Sequence, residues 1–93
     1  MAKHRVIKSS FWDDSFVLDI DPTEKLLYLY LFTNANVDLC GIYEIAFKKI
    51  ALETAIDREM LPKIFKRFED SKKIFFYKNW VFVKNFTKNQ KSN

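Results

Sequence analysis

The sequence predicts a mainly α-helical domain closed by a small β-hairpin. Three patterns carry that expectation. Asp21-Pro22-Thr23-Glu24 opens an apolar helix, Leu61, Ile64, Phe65 and Phe68 recur at helical spacing, and two β-branched and aromatic runs, 74–77 and 80–83, stand two residues apart.

The elements follow in order. Asp21 suits an N-cap, Pro22 the first helical position, where no backbone donor is needed, and Glu24 can reach back to the cap amide. This helix should run to about Thr33, and its body, Leu26 to Phe32, is apolar almost all round, so it is expected at the centre of the core, covered on most sides. Asn34-Ala35-Asn36-Val37-Asp38 reads as a turn, and Gly41, the only glycine, introduces one brief strand over 41–45. From about Ala46 to Thr54, Phe47, Ile50 and Ala51 keep helical spacing with Lys48 and Lys49 on the outer side. A tight link leads to Asp57, which can cap a third helix over about 58–70. One face of that helix packs, while Glu59, Lys63, Lys66, Arg67 and Asp70 lie on or near the other. Pro62 either kinks this helix or delays its start, because proline lacks a donor and disfavours helical geometry at Leu61. Lys78-Asn79 forms the hairpin turn, where Asn79 tolerates a positive φ. The stretch 87–93 has no apolar residue and reads as a disordered tail or a linker to a missing C-terminal domain, which sets the folded unit at 1–86.

At 93 residues, one core is expected. A chain this short buries only about 60 to 65% of its unfolded surface and needs dense apolar content, which it has: 48% hydrophobic residues, ten of them Phe. Cys40 is the only cysteine, so no internal disulfide can form, and a reduced cytoplasm is the expected location. No run approaches the roughly 20 apolar residues of a membrane span, and the opening Met-Ala-Lys-His-Arg lacks a signal peptide's apolar stretch, so no membrane partner is expected. The net charge of +4 is unevenly spread. Residues 1–46 hold four Lys/Arg against seven Asp/Glu, net −3, while residues 47–93 hold twelve against five, net +7. Such asymmetry points to a polyanion met by the C-terminal half. Enzyme signals are missing: one His and one Cys make no zinc cluster, one glycine makes no phosphate-cradling loop, and neither catalytic residues, a cofactor nor a metal is expected.

Helix, short strand, helix, tight turn, helix and hairpin make the winged helix-turn-helix plan, a three-helix core with a short antiparallel sheet. The sequence also resembles a known family, the N-terminal domains of replisome-organiser and DnaD-like replication initiation proteins from phages of Gram-positive bacteria. The matching stretches are Arg5 to Asp14 (RVIKSSFWDD), Leu27 to Asn34 (LYLYLFTN), Cys40 to Ile45 (CGIYEI), Lys49 to Thr54 (KIALET) and Trp80 to Phe86 (WVFVKNF), in order over most of the chain. The resemblance implies a phage or prophage domain that binds origin DNA or helps an initiator self-associate, joined in a longer protein to a helical domain that contacts the helicase-loading machinery. A transcriptional regulator of the same fold and a protein-interaction domain are the alternatives.

The expected DNA-binding residues lie in the basic half. Lys63, Lys66 and Arg67, flanked by Arg58, Lys72 and Lys73, form the outer face of the third helix, the element that enters the major groove, where Arg or Lys can pair with guanine. A merely solvated face is the competing reading, supported by the i, i+4 pairs Glu59 with Lys63 and Lys66 with Asp70. Lys48 and Lys49 begin the second helix, where phosphate is favoured, and Lys78 and Asn79 form a short wing tip. Lys3-His4-Arg5 is a basic arm that could reach a minor groove, although the bland reading is a solvent-exposed arm. Phe75-Phe76-Tyr77 and Trp80-Val81-Phe82 could stack bases of a single strand, but a small domain's need for core rings favours packing. Phe11 and Trp12 are expected as anchors of the N-terminal segment, and Asp13 and Asp14 as helix-start residues.

Overall fold

A capping box fixes where the central helix starts, and the computed structural model, which describes residues 6–37 and 40–84, builds the rest against that helix. The basic arm, Asp38, Phe86 and the polar tail lie outside the described residues. A 3-10 turn, Ser9–Asp13, precedes helices α1 (Ser15–Asp19) and α2 (Pro22–Thr33). Strand β1 (Ile42–Glu44), helix α3 (Phe47–Thr54), a second 3-10 turn (Arg58–Met60) and helix α4 (Leu61–Asp70) follow, and strands β2 (Ile74–Tyr77) and β3 (Trp80–Val83) complete the order. Among the described residues the fold is thus mainly helical with one three-stranded antiparallel sheet, ordered β1-β3-β2.

Four α-helices replace the expected three. The addition is α1, too short to show a period, which begins where the Asp14 side chain accepts the Phe16 amide at 2.8 Å. Asp14 is therefore a helix-start residue, whereas Asp13 ends the preceding 3-10 turn. In α2 the Glu24 carboxylate accepts the Asp21 amide at 2.8 Å while the Asp21 side chain accepts from the third helical amide. Leu27, Tyr28, Leu31 and Phe32 are buried and only Pro22, Leu26 and Thr33 are exposed, so α2 is covered on most sides as its apolar body leads one to expect. A domain this small has too few elements to wrap a helix completely.

Pro62 causes no kink. The 3-10 turn, capped by Asp57 at the Glu59 amide (3.1 Å), takes up residues 58–60, and α4 starts at Leu61, which leaves Pro62 in a first turn that needs no donor from it. Leu61, Ile64, Phe65 and Phe68 are buried as the periodicity requires. At the other end Lys72 takes a left-handed φ of 59°. Its amide donates to Glu69 O (2.9 Å) and that of Lys73 to Phe68 O (3.0 Å), a Schellman closure.

Ring contacts run through a mainly aliphatic core. Phe68 meets Phe16, Tyr28 and Phe65 edge-on, with centroids 5.8, 5.4 and 6.3 Å apart, and Phe76 lies 4.6 Å from both Phe47 and Phe65. Phe11 stacks on Tyr28 at 5.7 Å and so anchors the N-terminal segment; Trp12, 51% exposed, touches Phe11 edge-on and is not an anchor.

The hairpin turns on two residues with positive φ, Lys78 (47°) and Asn79 (70°), as a type I′ turn requires. Its register pairs Tyr77 with Trp80 and Phe75 with Phe82, while β1 sets Ile42 against Phe82 and Glu44 against Trp80. Because side chains alternate across a sheet, Tyr43, Ile74, Phe76, Val81 and Val83 face the helices. Ile42, Phe75, Tyr77, Trp80 and Phe82 face outward, between 37% and 68% exposed. The expectation that both aromatic runs belong to the core is thus corrected: period-two alternation sends four of the five rings to the outer face.

A buried polar knot ties sheet to helix. The Tyr43 hydroxyl donates to Leu31 O at 2.7 Å and accepts from Asn34 Nδ2 at 3.0 Å, which also donates to Tyr30 O. Burial raises the Tyr43 pKa well above its ordinary value, against a smaller lowering by Asn34. Burial, with a smaller contribution from Asp14, pushes Tyr28 from 10.0 up to about 12.

Two outcomes follow. Leu61→Ala and Phe68→Ala, both at sites with no exposure, should each lower unfolding free energy in urea by about 2 to 5 kcal/mol. Folded tyrosines that hold their protons more tightly than the unfolded chain give full stability below the ordinary value of 10.0 and lose it as pH rises through the folded value of about 12. The urea midpoint should therefore be flat up to about pH 10 and fall above it. A midpoint that stays level through alkaline pH would contradict the burial of these hydroxyls.

Candidate nucleic-acid interface

The helix pair α3 and α4 meets at a sharp corner. Ala55 ends α3 with a left-handed φ of 63°, its amide donating to Ala51 O at 2.9 Å, and buried Ile56 leads into the turn before α4. This link turns the outer face of α4 away from the core. Lys63 and Lys66 stand on that side, both exposed, with Glu69 and Asp70 toward the helix end, and Arg58 is exposed in the preceding 3-10 turn.

Arg67 is exposed and lines one open cleft with Lys63 and Lys66, and it is also held by an acid. Its Nε lies 3.5 Å from Glu24 Oε2, and the Glu24 side chain is only 10% exposed. One carboxylate oxygen of Glu24 thus closes the α2 capping box while the other holds Arg67. The anticipated Lys66–Asp70 pair is present at 3.5 Å between two well-exposed groups, where it contributes little. Glu59 lies in the 3-10 turn, outside the α-helical register that an i, i+4 partnership with Lys63 requires.

The other basic residues divide. Lys48 is exposed in the first turn of α3, but the half-buried Lys49 donates to Asn36 Oδ1 at 2.6 Å. Asn36 in turn donates to Glu44 O at 2.9 Å, so Lys49 braces the turn after α2. Lys72 occupies the left-handed helix closure, and Lys73 lies 4.0 Å from Asp14 Oδ2 and 5.6 Å from the Phe16 ring centre, on the α1 side. Lys78 Nζ sits 5.3 Å from the Tyr77 ring centre at the hairpin tip, and Asn79 O accepts the Ile45 amide at 2.8 Å. That bond pins the tip beside the residues that start α3. Of the ten expected contacts, the structure gathers Lys63, Lys66 and Arg67 along one cleft of α4, with Arg58 exposed in the 3-10 turn before it. Lys48 lies on α3, Lys78 and Asn79 on the tip and the exposed Lys72 at the closure of α4, while the Lys49 and Lys73 side chains are engaged within the fold.

Sequence reasoning missed Glu24 as a partner of this helix, and nothing local could have shown it, because the contact joins two elements distant in the chain. Tyr30, whose hydroxyl donates to Glu53 on α3, is a similar case: burial first and this hydrogen bond second raise its pKa. No helix among the described residues is long and apolar enough to cross a membrane. No protein-family model, curated protein or solved structure matches the chain.

Glu24→Ala removes both the capping acceptor and the Arg67 partner and should lower stability by about 1 to 2 kcal/mol. Arg67→Ala leaves the capping box intact and should cost less than about 1 kcal/mol. Equal losses in parallel urea titrations would show that Glu24 does not serve both partners.

Proposed function

We propose that this chain is a winged-helix module that holds double-stranded DNA, with the first turns of α4 in the major groove. The observation that carries the reading is the division of α4 into a fully packed face and an exposed face bearing Lys63 and Lys66, reached through Arg58. A helix fits the major groove, and the N-terminal residues of such a helix are the ones that meet base edges. Lys48, at the start of α3, is positioned for a phosphate, and the pinned hairpin tip brings Lys78 to the same end of the domain. Arg67, with Nε turned to Glu24, serves to orient α4 and reaches DNA only through its remaining nitrogens.

The resemblance of the stretches 5–14, 27–34, 40–45, 49–54 and 80–86 to phage replication initiators supports origin DNA as the duplex, with helicase-loading partners recruited by another part of a longer protein. This reading assigns the chain to the cytoplasm and gives it no enzymatic role.

Binding to duplex DNA should weaken steeply with salt, with a log-log slope near −4 if about four or five phosphates are contacted. Lys48→Ala should weaken all duplexes alike and reduce the slope by about one, whereas the double variant Lys63→Ala, Lys66→Ala should erode the preference for an origin-containing over a scrambled duplex. Fluorescence anisotropy at two salt concentrations reads both effects. Absence of duplex binding at low salt would sink the proposal.

A further inference from the structure

Duplex binding through α4 leaves the outer face of the sheet unexplained. Two rows of side chains run across it: Phe75, Phe82 and Ile42 in one, Tyr77, Trp80 and Glu44 in the other. Exposed aromatic surface on this scale, on one small sheet, marks a binding site more readily than chance. Aliphatic packing against another protein would not call for rings in particular, and here four of the five apolar groups are aromatic. Cations frame them. The Lys78 ammonium lies over the Tyr77 ring at one end, and Lys84, exposed, continues the outward alternation of Trp80 and Phe82 at the other. A track that runs lysine, ring pair, ring pair, lysine suits a ligand with flat apolar groups and a regular negative charge.

We propose that this face binds single-stranded DNA by stacking unpaired bases on the Tyr77–Trp80 and Phe75–Phe82 pairs, with Lys78 and Lys84 beside the phosphates. Spacing separates a single strand from a duplex. Successive same-face residues along a strand lie roughly 6.8 Å apart, twice the rise of about 3.4 Å per nucleotide within a duplex strand. Bases can occupy both rows only when the strand is extended and unstacked. Paired bases keep their faces inside the helix and offer nothing to the rings. Stacking on aromatic side chains tolerates any base, so the face should show little sequence preference. The outward side chains of both rows are rings and one aliphatic group apart from Glu44, with no array of polar groups to grip a 2′-hydroxyl, which favours DNA over RNA. A second copy of the chain fits less well, because it would bring two lysine-flanked surfaces together. The proposal goes beyond duplex binding and uses a different face, Lys78 at the hairpin tip being shared by the two readings.

The test titrates the full chain with labelled oligo(dT) of about ten nucleotides, the matching oligo(U), and duplex DNA at low salt. Oligo(dT) should bind, and Trp80→Ala or Phe82→Ala should weaken it about fivefold to a hundredfold while duplex affinity stays unchanged. Trp80→Phe, which keeps a ring, should retain most of the binding. Tyr77→Ala, at the most exposed of these positions, provides a second variant should Trp80→Ala fail to fold. In a Trp12→Phe background, oligo(dT) should quench the fluorescence of Trp80, then the sole tryptophan. The double variant Lys63→Ala, Lys66→Ala should erode the preference for the origin-containing duplex and leave oligo(dT) binding unchanged, so the two sites can fail separately. The proposal is overturned by absent oligo(dT) binding, by equal affinities of the wild type and the folded ring variants, or by a preference for oligo(U). Sedimentation that reveals a dimer dissolved by Trp80→Ala without any oligo(dT) binding would assign the face to self-association instead.

Discussion

The hydroxyl of Tyr43 is the constraint on which the rest of the arrangement depends. It is a buried polar group on a three-residue strand, and its two hydrogen bonds, to Leu31 O and from Asn34, tie that strand to the end of α2. A buried hydroxyl without partners is costly, so β1 has one satisfactory position against the helix. Once β1 is fixed, so is β3 beside it, and with β3 the register that decides which side chains enter the core. A slip of one residue would exchange Val81 for Trp80 or Phe82 and put the rings inside.

Much of this architecture was legible from local chemistry. The Asp21-Pro22-Thr23-Glu24 start, the buried stripe of α4 and the two-residue hairpin turn each write their geometry into a few neighbouring residues. Helix α1 left only its start signal at Asp14, since five residues show no period. Pro62 was ambiguous until the 3-10 turn before Leu61 supplied its context. The aromatic runs were legible but misread, because the demand for a dense core was set above the alternation that a strand imposes. At the candidate interface, residue type identified where cations accumulate and could not say which were already engaged. Arg67 with Glu24, Lys49 with Asn36 and Lys73 with Asp14 all join residues that only the folded chain brings together.

The basic helix face and the aromatic sheet face differ in what they ask of a ligand. One is a convex rod with point charges, suited to a groove; the other is a plate of rings framed by lysines, suited to flat groups. The core between them is mainly aliphatic, with Tyr28, Phe65 and Phe68 making edge-on ring contacts inside it.

The scarcity of glycine has a mechanical meaning. Apart from Gly41, the left-handed corners of the described chain are made by Ala55, Lys72, Lys78 and Asn79. A glycine would let such a corner swing through a wide basin, whereas a side chain confines it to a narrow well at a cost on the order of 1 kcal/mol. Ala55 closes α3 and Lys72 follows the end of α4, so each of the two helices ends in a narrow left-handed corner. Those corners fix the directions in which the chain leaves the two helices, with little room to swing.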